Sequence, residues 1–369
     1  MRLLRLLPGA ALLLVANLSA LPRWDLIYHY DKIDSALAFL DLEFFSAERG
    51  VAAAMIFENR RTRPVVGLTA DGGRTWSFTN FRESALSLFF LNDQTGWLVG
   101  ERARVYSTAD GGRTWTRLNL AGIRAEPLRI YFRDASHGWL LCSREQAFQT
   151  ADGGRTWTRL PDSDVPGVDE SRVLYNEAAW FRDNVLLIGF SRPFARRSRF
   201  PAWMEPDLAP VGLPPTTSIL LRSSDAGRSF TRYLLPGFGE VRRLAISSLG
   251  AAFLLAVRPD SLTSPTEIYQ ADLATLQTRS VYADKNRWLT DLAFGGAGRL
   301  FAAAIDQEGR SPHPAIPSKL RVLASTDGRK WAETEIDYRA EAHRGFFAAS
   351  GPDIWLATDS GMLLRWVPE

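Results

Sequence analysis

Short apolar stretches recur along most of the chain, and turn-forming residues bound each of them. Between residues 85 and 118 the stretches are 85–91, 96–100, 104–108 and 114–118, and the next segment repeats them at 128–132, 138–142, 147–150 and 156–160. Runs of this length, rich in Val, Phe, Trp and Thr and separated by Gly, Asp and Asn, are typical of β-strands joined by tight turns. The pattern therefore predicts consecutive four-stranded antiparallel units and an all-β fold.

One turn motif separates the third and fourth stretch of a unit. The octamer Thr-Ala-Asp-Gly-Gly-Arg-Thr-Trp stands at 69–76, 108–115 and 150–157; a variant occupies 223–230, and a version one residue shorter occupies 325–331. The Asp side chain can accept hydrogen bonds from the backbone of its own turn, while Gly readily adopts positive φ. We therefore interpret five aspartates as structural corners rather than catalytic groups: Asp71, Asp110, Asp152, Asp225 and Asp327.

The spacing of the motif predicts the architecture. Asp71 and Asp110 are 39 residues apart, and Asp110 and Asp152 are 42 residues apart. A period of this length suits four strands in one blade of a β-propeller. Further units are expected near residues 178, 241, 289 and 345, and the last has only three strands before the chain ends. Residues 24–30 precede the first unit, so we predict a seven-bladed propeller whose last blade is closed by this N-terminal strand, which removes open sheet edges.

The N-terminus predicts export. Arg2 and Arg5 precede the apolar run 6–15, and small residues lead to Ala20. This order is typical of a secretory signal, and the run is short for a membrane span. We expect residues 1–20 to be a signal peptide, with an uncleaved anchor as the alternative, and residues 21–369 to form one propeller domain in the periplasm or outside the cell. Cys142 is the single cysteine, so no intramolecular disulfide can form, and we expect it to be buried in a strand.

Net charge gives no reason to expect a nucleic-acid partner. The whole chain carries 44 basic and 41 acidic residues, a formal charge of +3. Loss of the first twenty residues removes two arginines and leaves a charge of +1. No nucleic-acid-binding motif adds to this balance.

The repeats and the Gly-Trp pairs that open second strands, at 96–97 and 138–139, carry a family resemblance. The chain resembles the Asp-box (BNR-repeat) β-propellers, and among them the secreted, seven-bladed photosystem II stability/assembly factor-like proteins. The resemblance covers nearly all of the chain after residue 20. It implies a protein-binding scaffold without cofactor, and it places the Asp-box turns away from the ligand face.

Sialidases share the Asp-box, so a glycoside hydrolase is the alternative that must be weighed. Such an enzyme needs a Tyr nucleophile with a carboxylate partner, an acid/base carboxylate and three arginines that hold the substrate carboxylate. The Phe-Arg-Ile-Pro signature of that family is absent, and no Arg stands between Arg23 and Arg49, although Tyr28 and Tyr30 lie there. A carboxylate and a Tyr meeting in the central funnel beneath three arginines would favour this alternative. We expect no catalytic residue.

Metal and cofactor sites are not expected either. The four histidines are scattered, and none has a second ligand at a metal-binding spacing: His29, His137, His313 and His343.

Insertions instead predict a recognition surface. Segments 58–64, 191–217, 259–265 and 306–318 are expected as loops that share one rim of the propeller. Loops on a rigid scaffold commonly carry recognition. The longest combines arginines with aromatic residues, both of which are favoured in interfaces. The candidate partner-binding residues are Arg60, Arg61, Arg63, Arg192, Arg196, Arg197, Arg199, Phe200 and Trp203.

These observations predict a monomeric, non-catalytic binding or assembly factor that holds a protein partner on the rim with the insertions. By resemblance the partner would be a membrane protein or its assembly intermediate. An anionic polysaccharide or lipid headgroups would also suit a basic, aromatic loop, and a solvated loop without a partner is the neutral alternative. The rival class is a carbohydrate-active propeller, either a lectin-like binder or a diverged sialidase-like hydrolase.

Overall fold

A computed structural model describes residues 22–192, 216–236, 238–258, 265–296, 298–307, 318–337 and 341–368. The described residues form seven antiparallel sheets, each with four strands from the pattern above, arranged as the blades of a β-propeller. The predicted fold class is confirmed. Two short 3₁₀ helices, Pro161–Ser163 and Glu170–Arg172, lie between the third and fourth blades. None of the helices in this part of the chain has the length and apolar character needed to cross a bilayer.

The strands are numbered in chain order. Blade 1 contains β2 (Ser35–Phe44), β3 (Gly50–Glu58), β4 (Arg61–Thr69) and β5 (Ser77–Asn80). Blade 2 contains β6 (Ala85–Phe90), β7 (Gly96–Gly100), β8 (Arg104–Thr108) and β9 (Thr116–Arg117). Blade 3 contains β10 (Pro127–Phe132), β11 (Gly138–Cys142), β12 (Ala147–Thr150) and β13 (Thr158–Arg159). Blade 4 contains β14 (Val173–Phe181), β15 (Asn184–Ser191), β16 (Thr217–Ser223) and β17 (Thr231–Pro236).

Blade 5 contains β18 (Glu240–Ile246), β19 (Ala252–Val257), β20 (Thr266–Ala271) and β21 (Thr278–Ala283). Blade 6 contains β22 (Arg287–Gly295), β23 (Arg299–Asp306), β24 (Leu320–Ser325) and β25 (Ala332–Glu333). Blade 7 contains β27 (Gly345–Ser350), β28 (Asp353–Thr358) and β29 (Met362–Val367), followed by β1 (Arg23–His29) as its fourth strand. The two-residue strand β26 (Glu335–Ile336) pairs in parallel with the outer edge of β1.

Closure of the ring by β1 is confirmed. Trp24 pairs with Trp366 of β29 and is 2% exposed. Its ring lies 5.3 Å from that of Phe301 in blade 6 and 5.8 Å from that of Phe347 in blade 7. The N-terminal strand therefore attaches the beginning of the chain to its last two blades. Backbone hydrogen bonds join it to blade 7, and aromatic packing joins it to blades 6 and 7.

Aromatic residues also join neighbouring blades elsewhere. Trp97 of blade 2 stacks on Phe132 of blade 3 at a centroid distance of 3.6 Å, and Trp355 of blade 7 stacks on Phe44 of blade 1 at 3.7 Å. Trp97 is 2% exposed and therefore belongs to the core. Cys142 is buried as expected.

The Asp-box turns link third and fourth strands. In blade 2, Asp110 Oδ1 accepts hydrogen bonds from the Thr108 hydroxyl (2.8 Å) and the Thr114 N–H (2.9 Å), and Oδ2 accepts one from the Thr114 hydroxyl (2.6 Å). Trp115 Nε1 donates to the Gly112 carbonyl at 3.0 Å. These bonds favour the carboxylate form, and the hydrogen bond from the Thr114 hydroxyl contributes most to lowering the pKa of Asp110 to about 2.

The shortened fifth turn is tighter than the others. Asp327 Oδ1 accepts the N–H groups of Arg329 and Lys330, each at 2.8 Å. In blade 2 the accepted N–H belongs instead to the residue four positions after the Asp.

Strand direction gives the ring two distinct faces. Connections between second and third strands, and between blades, lie on what we call the insertion face, and the Asp-box turns lie on the opposite box face. In blades 4, 5 and 6 the second-to-third connection is long, and its residues 193–215, 259–264 and 308–317 lie outside the described residues.

One expected insertion is not a loop. Residues 58–64 continue β3 and β4 as a hairpin in which Glu58 pairs with Arg61. Asn59 and Arg60 form its two-residue turn with φ values of 50° and 61°. Two successive residues with positive φ make the turn that best matches strand twist. The polar composition of this segment was therefore wrongly interpreted as an insertion.

Replacing Trp24 should open the ring. We expect Trp24→Ala to lower the free energy of unfolding by about 3–5 kcal/mol, because a buried aromatic side chain is lost between two blades. Urea unfolding followed by tryptophan fluorescence measures the change. Ile33→Ala, at a side chain that is 94% exposed in the next turn, should change stability by less than about 0.5 kcal/mol. Equal stability of both variants would contradict the closure.

The Asp-boxes should make stability depend on acidic pH. The pKa of Asp110 is about 2 in the folded protein and about 3.9 in an unfolded chain, so its contribution is present above pH ~4 and is lost as the pH falls towards 2. Asp110→Asn should lower the melting temperature at pH 7 and reduce the loss of stability between pH 4 and 2. Glu48→Gln is the control, because its exposed carboxylate accepts no hydrogen bond from the described residues. Identical pH profiles for Asp110→Asn and the wild type would refute the assignment.

Candidate functional site

A repeated irregularity in the innermost strands shapes the centre of the ring. The first strand of each of blades 1 to 6 contains a β-bulge at the equivalent position, where it pairs with the second strand. The first strand of blade 7, β27, pairs without a bulge. A bulge redirects the side chains that follow it. The residue after each bulge lines the central channel, a cavity of about 290 Å³. These six residues are Asp41, Ser87, Arg129, Glu177, Arg243 and Asp291.

Several of these side chains bind the neighbouring blade. Asp41 Oδ2 accepts the N–H of Leu88 in blade 2 at 2.8 Å, and Asp291 Oδ2 accepts the N–H of Phe347 in blade 7 at 2.7 Å. Arg129 Nη1 donates to the backbone carbonyl of Leu86 in blade 2 at 3.1 Å. The polar ring therefore holds blades together and also supplies the chemistry of the channel.

Four blades contribute to one buried charge network. The Tyr131 hydroxyl donates to Glu177 Oε1 at 2.9 Å, and Arg243 Nη1 lies 3.5 Å from Glu177 Oε2. Arg243 Nε contacts Asp291 Oδ1 at 2.5 Å. Asp291 raises the pKa of Arg243, so the guanidinium stays charged. Burial raises the pKa of Glu177 although Arg243 opposes this effect, and burial next to Glu177 raises the pKa of Tyr131 well above its ordinary value.

Glu43 adds a carboxyl group farther along the channel. It follows Asp41 by two residues on β2, and both side chains line the cavity, as the two-residue period of a strand requires. Burial, reinforced by the charge of Asp41, raises the pKa of Glu43 to about 8. Glu43 is therefore mostly a neutral acid at pH 7.

The channel opens towards the insertion face through an arginine-lined cavity of about 570 Å³, which we call the mouth. Asn176, Trp288, Thr290 and His343 contribute to its wall. No carboxylate stands among its described lining residues. Its arginines come from blades 3, 4 and 5 and from the start of blade 7: Arg129, Arg192, Arg242, Arg243 and Arg344.

Two of these arginines form ion pairs with a buried carboxylate. Glu240 is 2% exposed; Arg192 Nε lies 2.8 Å from its Oε1, and Arg242 contacts its Oε2. Both guanidinium groups lie 5.2 Å from the ring centroid of Phe190, which allows cation–π attraction. One buried carboxylate thus fixes two arginines in place.

Two arginines of the mouth have no carboxylate partner among the described residues. Arg129 is half-buried and bonded to a backbone carbonyl. Arg344 is accessible to solvent, yet protein atoms surround it; this desolvation, together with the charge of Arg243, lowers its pKa. A lowered pKa in an arginine means that its surroundings disfavour the positive charge. Because Arg129 and Arg344 add positive charges that no described carboxylate pairs with, the mouth has a positive potential that suits an anion.

The sequence-predicted residues are only partly brought together. Arg192 lies at the mouth. Arg60, Arg61 and Arg63 lie on the hairpin of blade 1 and do not line the mouth; Arg63 Nη1 donates instead to Asn80 Oδ1 at 2.6 Å. The predicted residues Arg196, Arg197, Arg199, Phe200 and Trp203 lie outside the described residues.

Sequence reasoning missed the centre of the site. It did not single out Arg129, Tyr131, Glu177, Arg243 and Arg344. Three of these residues directly follow a bulge: Arg129, Glu177 and Arg243. A usable signal was present, because the first strand of each of blades 1 to 6 carries a polar residue at the equivalent position, as in Phe-Leu-Asp-Leu at 39–42 and Pro-Leu-Arg-Ile at 127–130.

The arrangement bears on the hydrolase alternative. A Tyr and a carboxylate, Tyr131 and Glu177, meet in the channel next to an arginine-lined mouth that contains Arg129, Arg243 and Arg344. This is the combination that would favour that alternative. Among the described residues there is no group of three or more His, Cys, Asp or Glu side chains placed to hold a metal ion.

Comparison with known proteins identifies the class as a seven-bladed β-propeller. No protein-family profile matches the chain, and no curated protein is similar to it in sequence. The structure of YCF48 bound to D1 peptide matches with a TM-score of 0.60 and 15% identity over 94% of this chain and 96% of that chain. Virginiamycin B lyase from Staphylococcus aureus matches with a TM-score of 0.59 and 10% identity over 94% of this chain and 100% of that chain.

A third similar structure is the GH74 xyloglucanase from Xanthomonas campestris. It matches with a TM-score of 0.57 and 16% identity over 93% of this chain and 53% of that chain. At such identities the likeness establishes the fold alone. The similar proteins include a peptide-bound propeller, a lyase and a glycoside hydrolase, so the activity of this chain has to be argued from its own site.

Proposed function

We propose that the protein is a non-catalytic binding factor that holds an anionic segment of a protein partner in the mouth on its insertion face. The mouth carries this proposal, because Arg129 and Arg344 lack carboxylate partners among the described residues and no described lining residue is acidic. Guanidinium groups bind carboxylates through paired, charge-assisted hydrogen bonds. A site of this kind needs no chemistry beyond recognition.

The partner and the compartment belong to the same proposal. The signal-like segment 1–20 would export the chain, so the partner would be a periplasmic or extracellular segment, for example of a membrane protein during its assembly. YCF48, which shares the fold, has been seen with a bound peptide, and this supports a peptide-binding role for a propeller of this shape. Because β1, the fourth strand of blade 7, begins at the box face, Arg23 lies on the side of the ring opposite to the mouth.

Removing Arg129 and Arg344, the two arginines of the mouth that have no carboxylate partner among the described residues, should weaken binding of an acidic peptide. The probe is a fluorescein-labelled peptide with four glutamates, compared with the same peptide carrying glutamines. We expect Arg129→Gln/Arg344→Gln to raise the dissociation constant at least about tenfold, because each lost charge-assisted bond is worth about 1.5–3 kcal/mol. Fluorescence anisotropy at two salt concentrations measures the effect, which should shrink as salt screens the charges.

Arg74→Gln/Arg155→Gln is the charge-matched control for this experiment. Both residues lie in Asp-box turns on the box face, so this pair removes the same total charge far from the mouth. Equal loss of affinity in the two double variants would mean that the peptide responds only to net charge, and the proposal would fail.

A carbohydrate-active propeller is the second candidate, since Tyr131 and Glu177 meet next to the arginines of the mouth. Three features weigh against hydrolysis. Burial raises the pKa of Tyr131, which disfavours a phenolate nucleophile, and Glu177 is already engaged by Arg243. Asp41 and Asp291, two further carboxylates that line the channel, both accept backbone N–H groups of the next blade.

Hydrolysis can be tested directly. We expect no release of fluorophore from the 4-methylumbelliferyl α-glycoside of N-acetylneuraminic acid, because the groups of the channel bind one another. Continuous fluorescence with the wild type and Tyr131→Phe measures it. Turnover by the wild type that disappears in Tyr131→Phe, while that variant still binds the acidic peptide, would establish the hydrolase instead.

A further inference from the structure

A second cationic site lies outside the ring, in a groove between blades 1 and 2. The groove is a cavity of about 260 Å³ bounded by β4 and β5 on one side and by β8 and β9 on the other. The fourth strand of blade 2, β9, contains only Thr116 and Arg117. The site is separate from the mouth, with which it shares no lining residue.

Three aromatic residues form the floor of this groove. The ring of Phe81 meets that of Tyr106 edge-on at 5.2 Å and that of Trp115 at 6.4 Å. Trp115 is fixed by its Nε1 bond to the Gly112 carbonyl at 3.0 Å, and the Tyr106 hydroxyl donates to Glu83 Oε1 at 2.5 Å. Phe81 and Trp115 are only partly buried, so the floor presents rigid apolar surface to a ligand.

Three exposed arginines surround the floor: Arg82, Arg113 and Arg117. Arg113 Nη1 donates to the Asp110 carbonyl at 2.8 Å. Arg82 and Arg117 form no hydrogen bond or ion pair with any of the described residues. No described lining residue is acidic.

The nearby carboxylates are already engaged. Glu83 accepts from Tyr106 and lies 3.4 Å from Arg104 Nη1, and both oxygens of Asp110 accept bonds within its own turn. They are therefore not placed to neutralise Arg82 and Arg117. The polar edge of the groove is completed by Asn80, whose oxygen accepts from Arg63 Nη1 at 2.6 Å, so that its N–H groups remain available.

Other spaces between blades have different chemistry. The cavity between the Asp-box turns of blades 2 and 3 is lined by Asp110 and Asp152 and by several hydroxyl groups. The cavity between blades 4 and 5 is small, about 40 Å³, and its wall is mostly leucine and isoleucine. The space between blades 2 and 3 has one aromatic residue and one arginine, Trp97 and Arg155, together with two carboxylates. Of the three spaces, the one between blades 1 and 2 alone has three aromatic residues and three arginines without an acidic lining residue. The combination therefore does not follow from the repeat itself.

We infer that this groove binds an acidic sugar unit of an anionic polysaccharide. A pyranose ring has an apolar face of C–H groups that can pack on Trp115 and Phe81, because burial of apolar surface is favourable. Its carboxylate would then lie at the groove edge, where Arg82 and Arg117 can bind it with charge-assisted hydrogen bonds. An acidic peptide offers the carboxylate without the rigid apolar ring. The inference does not depend on the function proposed for the mouth.

The test uses tetragalacturonic acid as the probe and isothermal titration calorimetry as the measurement. We expect binding by the wild type and a dissociation constant at least about tenfold higher in Arg82→Gln/Arg117→Gln, because two charge-assisted bonds are lost. The methyl-esterified tetramer, which keeps the rings and loses the charge, should bind at least about tenfold more weakly than the acid. Phe81→Leu should weaken binding of the sugar and leave binding of tetraglutamate unchanged.

A matched control is present in the next blade. Arg159 occupies the same Thr-Arg-Leu sequence in blade 3 as Arg117 does in blade 2, and it contacts Asp164 instead of lining the groove. Arg159→Gln and Arg129→Gln/Arg344→Gln should both bind the tetramer as the wild type does. The inference is overturned if the wild type does not bind the tetramer, or if its affinity is unchanged in Arg82→Gln/Arg117→Gln or lost equally in the mouth variant. It is also overturned if the mouth variant Arg129→Gln/Arg344→Gln binds tetraglutamate as tightly as the sugar.

Discussion

Ring closure is the constraint on which the other features depend. A single four-stranded blade cannot bury both of its faces, so the hydrophobic clusters lie where blades meet. The seventh blade is complete only when β1 pairs with β29, and Trp24 then packs against aromatic residues of two blades. The channel and the mouth have defined shapes because every innermost strand is held from both sides. A small change in closure would alter the distances between all charged groups at the centre.

The bulges turn this scaffold into a site. In six blades the same irregularity points one polar side chain into the channel. Where that side chain is Asp41 or Asp291, its carboxylate accepts a hydrogen bond from a backbone N–H of the next blade. These two carboxylates therefore join neighbouring blades. Where it is Arg129, the partner is a backbone carbonyl, and the positive charge is positioned without being neutralised. The bulges therefore contribute both to the stability of the ring and to the positive electrostatic potential of the mouth.

The sequence was informative about the scaffold and much less about the site, for physical reasons. The Asp-box is local: Asp110 bonds to residues within four positions of itself, so its role can be inferred from neighbouring letters alone. The closing strand was predictable because seven blades of four strands require one more strand than the C-terminal unit contains. The bulges are not local in this sense, since a shift of register appears only when two strands are paired. An alternation of apolar and polar residues cannot reveal which residue is skipped.

The hairpin of blade 1 also could not be predicted from local sequence. A polar run with Asn and three arginines favours a loop by composition, yet the strands continue because Asn59 and Arg60 adopt a turn that matches their twist. Arginine rarely adopts positive φ, so the residue types of this segment do not predict the turn that forms. Long-range pairing of β3 with β4 outweighs this local preference. The three arginines of this segment, predicted to bind a partner, therefore lie on the hairpin of blade 1 and do not line the mouth.

The charge balance of the mouth suggests why an anion should bind there with useful affinity. Burial lowers the pKa of Arg344, and repulsion from Arg243 adds to this effect, although Asp291 and Asp41 partly oppose it. Glu177 and Asp291 are bonded to Arg243. Repulsion of this kind persists in the empty site because ring closure fixes the strands from which these residues project. An arriving carboxylate would relieve it and would meet guanidinium groups that are already oriented, so little ordering would oppose binding. The rigidity of the fold and the affinity of the site are thus two consequences of the same closed ring.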